Sequence, residues 1–585
     1  MRGLVARAWR RGRSSWPASP LEALPELPPG AVVGLLAPSS SAAPAAPAAS
    51  ADSAAFADSA PSAPMRRMRA WLRSRPDLEV ASFELDGSAA RLHAPMAARG
   101  PFDLLLVALG PEAGTAAAAR VFTEAFYQLR AGGVLLLVDF SLDAVGGTSS
   151  RGLHGLLAAV DGVRHGEAPD ATGVAAADLR ALADSITAID GVGRHLAVTS
   201  GVTALAKLDE DQADEVLARR AGHGGRDRVL NTLPAVRFSS RCRLRHSADE
   251  RAANMPEVYE APAARLREYH DVLCLPGQVV ASGNLLLPDT FRHNQRVRLK
   301  NRYAEELGRR FAALPDVPVP ATALSGSYFH LDNEVRGHFG HTMTEQLSKL
   351  WAWPLAKARH PDLKALLAIN KGRELAGFER ALFGAAGIAE EDLVFVREPV
   401  QVPRLLAATP LLSMPQYVHP EIAHTWQQIG DRLLEAEPAA GERDYPERIF
   451  CGRRLRKRRC HNAEEVEALF ATYGFVVVHP EDHSLAEQVA IFRAAGVVAG
   501  FAGSALFNLC YSATPTRVLL IHSEAYAARN EYMIASVLGH DIDLVTCVPD
   551  RPQQPGSWSM KSMQSPYTFD FDREGRFLRK VLDEL

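Results

Sequence analysis

Short apolar runs of strand length alternate with segments of helical period along most of the chain, and the alternation is most regular near its end. IFCG (449–452) predicts a strand, NAEEVEALFATY (462–473) a helix stopped by Gly474, and FVVVH (475–479) a strand. SLAEQVAIFRAA (484–495) predicts a helix, GVVAG (496–500) a strand, SALFNLCYSA (504–513) a short helix, and RVLLIHS (517–523) a strand. Strands this apolar must be covered on both faces, so the alternation predicts a doubly wound domain of nucleotide-binding type. The same texture begins near residue 78: LEVASFEL and PFDLLLVAL predict strands, AAAARVFTEAFYQLR a helix, and GGVLLLVDF a third strand in a parallel, helix-covered sheet. In 151–235, HLAVTSGVTALAKLDEDQADEVLARR reads as a strand, a loop and a charged helix. Short strands resume from 256, followed by RYAEELGRRFAAL as a helical run.

GHFGHTMTEQLSKLWAW (337–353) reads as a helix with two unlike faces. At about 100° per residue, His338, His341, Glu345 and Ser348 share a narrow polar sector, with Met343, Leu347, Leu350 and Trp351 roughly opposite. The apolar side suits a core; the polar side suits either hydrogen-bonded packing or chemistry. A metal reading is weak, since spacings of i, i+3 and i+7 are not the HExxH pattern and no fourth ligand is evident.

Composition narrows the class. A chain of 585 residues, 47% of them hydrophobic, holds several cores. Its net charge of −3 argues against a surface built throughout for nucleic acid or anionic lipid. The six cysteines are dispersed, with no CxxC pair, as reduced buried thiols of a cytoplasmic protein would be. No run is long enough to span a bilayer; AVVGLLA (31–37) is far too short. Residues 39–64, rich in Ala, Ser and Pro, read as a loop or tether behind a basic start.

Two stretches carry candidate anion chemistry. In GFAGSALFNL (500–509) a strand runs straight into a helix, which aims the amides near Gly503, Ser504 and Ala505 at an anion; glycine at 500 and 503 permits close backbone approach. The alternative is a capped helix and nothing more, with Ser504 as N-cap. CGRRLRKRRCHN (451–462) packs six cations into seven positions, Arg453 to Arg459, after the first strand of the predicted sheet. That is the edge where this topology holds ligands, so Arg453 or neighbours such as Arg454 and Lys457 could reach a nucleotide's phosphates. In HPEDHSLAEQ (479–488), Asp482 or Ser484 caps the next helix, and His483 lies in the loop. Asn508 and Glu531 are further candidates for the same cleft.

Taken in order, HFGHTMTEQLSKLW (338–351), RIFCGRR with its second basic pair and Asn462, GFVVVHPEDHSLAEQVAIF (474–492) and GVVAGFAGSALFNLCY (496–511) resemble glycosyltransferase family 61 over roughly 259–547. Many members have Ser-Arg where this chain has Gly452–Arg453, and Asn-Glu where it has Asn462–Ala463. The resemblance implies a GT-B-like pair of Rossmann-like domains: an acceptor-side domain at 256–435 and a nucleotide-sugar domain at 436–550, followed by a tail at 551–585. It implies transfer of a sugar, with inversion, from a nucleotide-sugar donor to a glycan or other hydroxyl acceptor. Neither a metal nor a cofactor other than the donor is expected. Such a reaction needs a base for the acceptor hydroxyl and cations or N–H donors for the departing diphosphate. His341 or His338 would be the base, with Glu345 orienting one of them or acting itself. Arg453, Arg454, Lys457, Gly500, Gly503, Ser504, Ala505 and Asn508 would hold the donor. The DID at 541–543 reads as the start of a late strand rather than a metal motif.

Within a domain at 65–235, residues 78–140 resemble the later half of a class I methyltransferase domain, through Phe102–Asp103 at one strand start and Gly132, Gly133 and Asp139 on another. The early glycine-rich turn is replaced by Ser, Pro and Ala, which implies a degenerate, partial Rossmann-like domain. The rival functions are an S-adenosylmethionine-dependent methyltransferase acting through this domain and a non-catalytic glycan- or nucleotide-binding protein.

Overall fold

The computed structural model describes residues 26–585 apart from 39–62, 86–87, 110–114, 139, 141–151, 169–173, 193–194, 223, 248–254, 292–297, 316–320, 370–373 and 455–456. The basic start, nearly all of the Ala/Ser/Pro-rich stretch, which takes in most of the Ser/Pro/Ala segment standing in for a glycine-rich turn, and Asp139 therefore lie outside the described residues. The chain forms two compact units: residues 1–228, 270–274 and 279–321, and residues 229–269, 275–278 and 322–585.

In the first unit the strand Val32–Pro38 pairs in parallel with Glu79–Leu85 on one side and Phe102–Ala108 on the other, and the latter pairs in parallel with Leu129–Val138. Leu104, Leu105, Leu106 and Val107 are fully buried, as a strand covered on both faces requires. The sheet ends in an antiparallel hairpin, Ile186–Val192 with His195–Ser200, so it is parallel only in part. The run at 302–314 is not a helix. It folds back as two short antiparallel strands, Glu305–Glu306 and Phe311–Ala313, around Gly308 at φ +116°, a conformation that breaks a helix and that glycine adopts without strain.

The second unit holds two sheets with parallel runs. In one, Val400–Ala408, Ser327–His330, Lys364–Ala368 and Leu393–Val396 lie side by side in parallel. The other has six parallel strands, in the order Leu244–His246, Asp541–Cys547, Arg517–Ser523, Val497–Phe501, Arg448–Cys451, Val476–Val478. The helices Ala463–Thr472 and Leu485–Ala494 follow their strands as the periodicity predicts, the second closed by a capping box between Ser484 and Glu487. The short helix after Val497–Phe501 is a 3-10 helix, Ser504–Tyr511.

The segment after Ser327–His330 is helical but irregular. One α turn (Phe339–His341) opens into a π turn (Thr342–Gln346), tightens to a 3-10 stretch (Leu347–Ala352) and returns to α (Trp353–Arg359). A constant 100° step therefore fails: His338 is the residue before the helix, and Ser348 is buried, its hydroxyl bonded to the Glu345 carbonyl at 2.7 Å. The apolar side behaves as expected, with Met343, Leu347 and Leu350 in the main core.

The loop that leads into this helix is pinned by buried charge. Asp332 accepts from the amides of Gly277, Gln278 and Ala368, each at 2.9 Å, and Glu379 accepts from the Gly337 amide at 3.0 Å. Removing the carboxylate would strand three amides that face the protein interior. Asp332→Ala should therefore lose on the order of 3–5 kcal/mol in urea unfolding; a loss under about 1 kcal/mol would mean that the loop is held by something else.

Candidate functional site

Two strand ends of the second unit meet. Gly340, in the first turn of the irregular helix, lies so close to the 3-10 helix that a β-carbon built on it would sit 3.1 Å from both Ser504 Cβ and Phe507. The apolar sides meet as well, with the Tyr511 hydroxyl 3.6 Å from Met343 Sδ.

On the helix side, His341 Nδ1 is 2.7 Å from Glu345 Oε1, and Asn333 Nδ2 donates to Glu345 Oε2 at 2.8 Å. Glu345 and Asn333 are buried while His341 keeps an open edge. The His338 and His341 rings are 4.8 Å apart. His338 is held below its ordinary pKa, first by desolvation and then by the charges of His341, Lys457 and Arg458, with Glu345 acting the other way. At neutral pH it is a neutral ring beside the basic segment.

On the sheet side, Arg453 lies against the turn that ends Val497–Phe501. Its Nη1 donates to the Ala502 carbonyl at 2.9 Å and its Nε to the Lys457 carbonyl at 3.1 Å. Gly503 has φ +151°, and a β-carbon there would collide with the Arg453 guanidinium, so glycine is what admits the arginine. Burial, followed by the charge of Arg458, lowers Arg453 to about 10. Arg458, itself at φ +56°, stacks over the Tyr526 ring at 4.3 Å, and its buried Nε has no hydrogen-bond partner. Among the described residues neither arginine is salt-bridged to a carboxylate. The acid beneath them is Glu531, fully enclosed, which accepts the Gly503 amide at 2.8 Å. Burial raises Glu531 to about 7, against the pull of that amide and of both arginines.

Not every residue expected in the site lies there. Arg454 is on the surface, paired with Asp482 at 2.6 Å. Asn508 is wholly buried and donates to Gln488 at 2.9 Å and to the Ala505 carbonyl at 3.0 Å. Gly500 serves strand packing, since a β-carbon there would be 2.8 Å from Cys451. The Gly503 amide, expected to be free, is taken by Glu531. The helix-opening amides of Ser504 and Ala505 have no partner within their own helix. Lys457 is exposed at the margin. Sequence reasoning passed over Asn333, Arg458 as distinct from its neighbours, and Tyr526; only the basic run hinted at any of the three. Among the described residues no group of three His, Cys, Asp or Glu is arranged to hold a metal ion, and no helix is long and apolar enough to cross a membrane.

No curated protein matches this chain. Among solved structures, three crystal structures of the MycE methyltransferase from the mycinamycin biosynthetic pathway align at a TM-score of 0.21. Identity is 14–16%, and the match covers 30% of this chain and 45–46% of theirs. The chain thus spans about half the length of those structures, and so low a score identifies no common fold. The family comparison bears on the site itself. Residues 339–519, which include His341, Glu345, Arg453, Arg458 and Ser504, match the Glycosyltransferase 61 family model.

Proposed function

We propose that the second unit transfers a sugar from a nucleotide-sugar donor to a hydroxyl-bearing acceptor, with inversion, by a single displacement. The observation that carries the reading is the pair of arginines, Arg453 and Arg458, partly enclosed without a salt bridge to a carboxylate and facing the turn whose next residues abut the histidine helix. Enclosed cations without counter-charge favour an anionic ligand, and guanidinium groups suit phosphate oxygens. The Ser504 and Ala505 amides add fixed dipoles of the same sign.

In the displacement, His341 Nε2 takes the proton of the acceptor hydroxyl as its oxygen bonds to the anomeric carbon from the face opposite the leaving group. The bond from that carbon to the diphosphate breaks, and the charge released passes to Arg453, Arg458 and the two amides, with Lys457 at the margin. Glu345 holds the Nδ1 side of His341, which leaves Nε2 with the lone pair. His338, biased toward its neutral form by burial, stands beside the base, its ring 4.8 Å from that of His341. The acceptor in this reading is a glycan or another hydroxyl-bearing molecule.

Calorimetry with a panel of nucleoside diphosphates, followed by a screen of the corresponding nucleotide sugars for diphosphate release, tests the reading; if none binds, it fails. Arg453→Ala and Arg458→Ala should each weaken diphosphate binding by roughly 10- to 100-fold, the loss expected for a charge-assisted hydrogen bond. His341→Ala should lower kcat by about 10²–10⁴ with donor binding kept. Glu345→Gln would present an amide N–H to Nδ1, favour the other ring tautomer and cost a comparable factor in kcat; an unchanged kcat in either variant would remove His341 as the base.

Glu531 gives a pH signature. Its pKa in the fold, about 7, lies above the ordinary 4.5, so the stability linked to its proton is complete below about pH 4.5 and is lost as pH rises through 7. A bound diphosphate would raise that pKa further. Binding near pH 7 should then take up a proton, and affinity should fall as pH rises from 6 to 8; Glu531→Gln, which keeps an acceptor for the Gly503 amide, should flatten both trends. Equal proton uptake by wild type and variant, measured in buffers of different ionisation enthalpy, would assign the effect elsewhere.

A further inference from the structure

Glu345 is gripped from two sides, and the second grip comes from a residue to which neither the family match nor the sequence pattern assigns a role. We propose that Asn333 is a positioning residue: its side-chain amide orients Glu345 so that His341 carries its ring proton on Nδ1 and presents Nε2 as the proton acceptor. The inference rests on the reading of His341 as the base.

The orientation of the amide follows from its partners. Asn333 Oδ1 accepts the Val335 amide at 2.7 Å, so the other side-chain atom is Nδ2, a donor, and it faces Glu345 Oε2 at 2.8 Å. The reversed amide would set an NH₂ against the Val335 N–H and an oxygen against a carboxylate oxygen, losing both bonds. Glu345 therefore accepts at Oε2, and its other oxygen lies 2.7 Å from His341 Nδ1. A neutral imidazole has one donor and one acceptor nitrogen; with Nδ1–H given to the carboxylate, Nε2 must hold the lone pair.

The chain of contacts starts on rigid ground. Asn333 is 3% exposed and follows Asp332, whose carboxylate is fixed by three backbone amides. Its neighbour Arg336 is also enclosed, within 3.3 Å of Glu379. Asn333 thus has little freedom, and the carboxylate it holds has little more. A carboxylate bonded to His341 alone could rotate about its own side chain and carry the ring with it.

Asn333→Asp isolates the contact, because it keeps the acceptor for the Val335 amide and replaces only the donor that faces Glu345. Two carboxyl groups at that separation cannot both ionise and would share a proton, which unsettles the hold on His341. The expected result is a kcat lowered by about 10- to 100-fold with donor KM within about twofold, and part of the loss recovered at lower pH, where the shared proton again supplies a donor. In the double variant with His341→Ala, the loss should be no greater than that of His341→Ala alone.

The ring itself gives a readout that needs no turnover. The ¹⁵N shifts of His341, assigned by comparison with His341→Ala, should report the Nδ1–H tautomer in the wild type and a mixture in Asn333→Asp. A wild-type ring protonated on Nε2 would overturn the proposal whether or not the variant folds. So would an unchanged tautomer and kcat in a variant that still binds nucleoside diphosphate. If His341→Ala retained activity, the base assignment would fall by itself, and the tautomer comparison would still decide whether Asn333 sets the ring.

Discussion

At Gly340 a side chain of any size would press on Ser504 and Phe507, and this close approach is the constraint on which the candidate site depends. It brings the helix that follows Ser327–His330 against the turn that follows Val497–Phe501. Both are ends of parallel strands, where first-turn amides are left without intrahelical partners and where α/β sheets hold their ligands. A second glycine works in the same way. Gly503, by lacking a β-carbon, lets the Arg453 guanidinium lie along the turn instead of pointing into solvent.

The site is divided electrostatically. Arg453, Arg458 and the first amides of the 3-10 helix make one side positive, and the carboxyl group beneath them is biased toward its neutral form by burial. Across from it, Glu345 is committed to Asn333 and His341, so its charge serves an imidazole rather than cancelling the arginines. His338, beside His341, is biased toward its neutral form first by burial and then by the charges of His341, Lys457 and Arg458. Such a division suits a reaction in which a proton leaves on one side while negative charge develops on the other.

Precision on the helix side comes from irregular backbone held by regular partners. The π turn at Thr342–Gln346 contains Glu345, and hydroxyl and amide side chains support it: Thr344 Oγ1 donates to the Gly340 carbonyl at 2.9 Å, and Gln346 Nε2 to the Leu331 carbonyl at 3.0 Å. Widened turns of this kind recur at functional sites because they re-aim side chains that a uniform helix would leave elsewhere. With Met343 and Leu347 in the core, a shift of the turn would disturb packing, which ties the geometry of the site to the stability of the unit.

Much of the framework was legible before any coordinates. The strand–helix alternation from 448 to 523 was readable because burial on both faces forces near-continuous apolar strands, and the glycines and serine at 500–504 marked the turn because backbone approach and capping restrict residue type. The pair of histidines and Glu345 could be picked out by spacing, since neighbours on a helix recur every three or four residues. Folding in three dimensions decided the rest. The basic run gave no sign that Arg453 and Arg458 turn inward while Arg454 pairs with Asp482 on the surface, because that depends on which backbone and ring each side chain meets. Asn333 and Glu531 were illegible as partners of Glu345 and Gly503, one of them lying 12 residues away and the other 28, since no local periodicity encodes a contact made by a loop or by a later helix. Local physics set the elements and the His341–Glu345 pair four residues apart; long-range packing chose the partners beyond them.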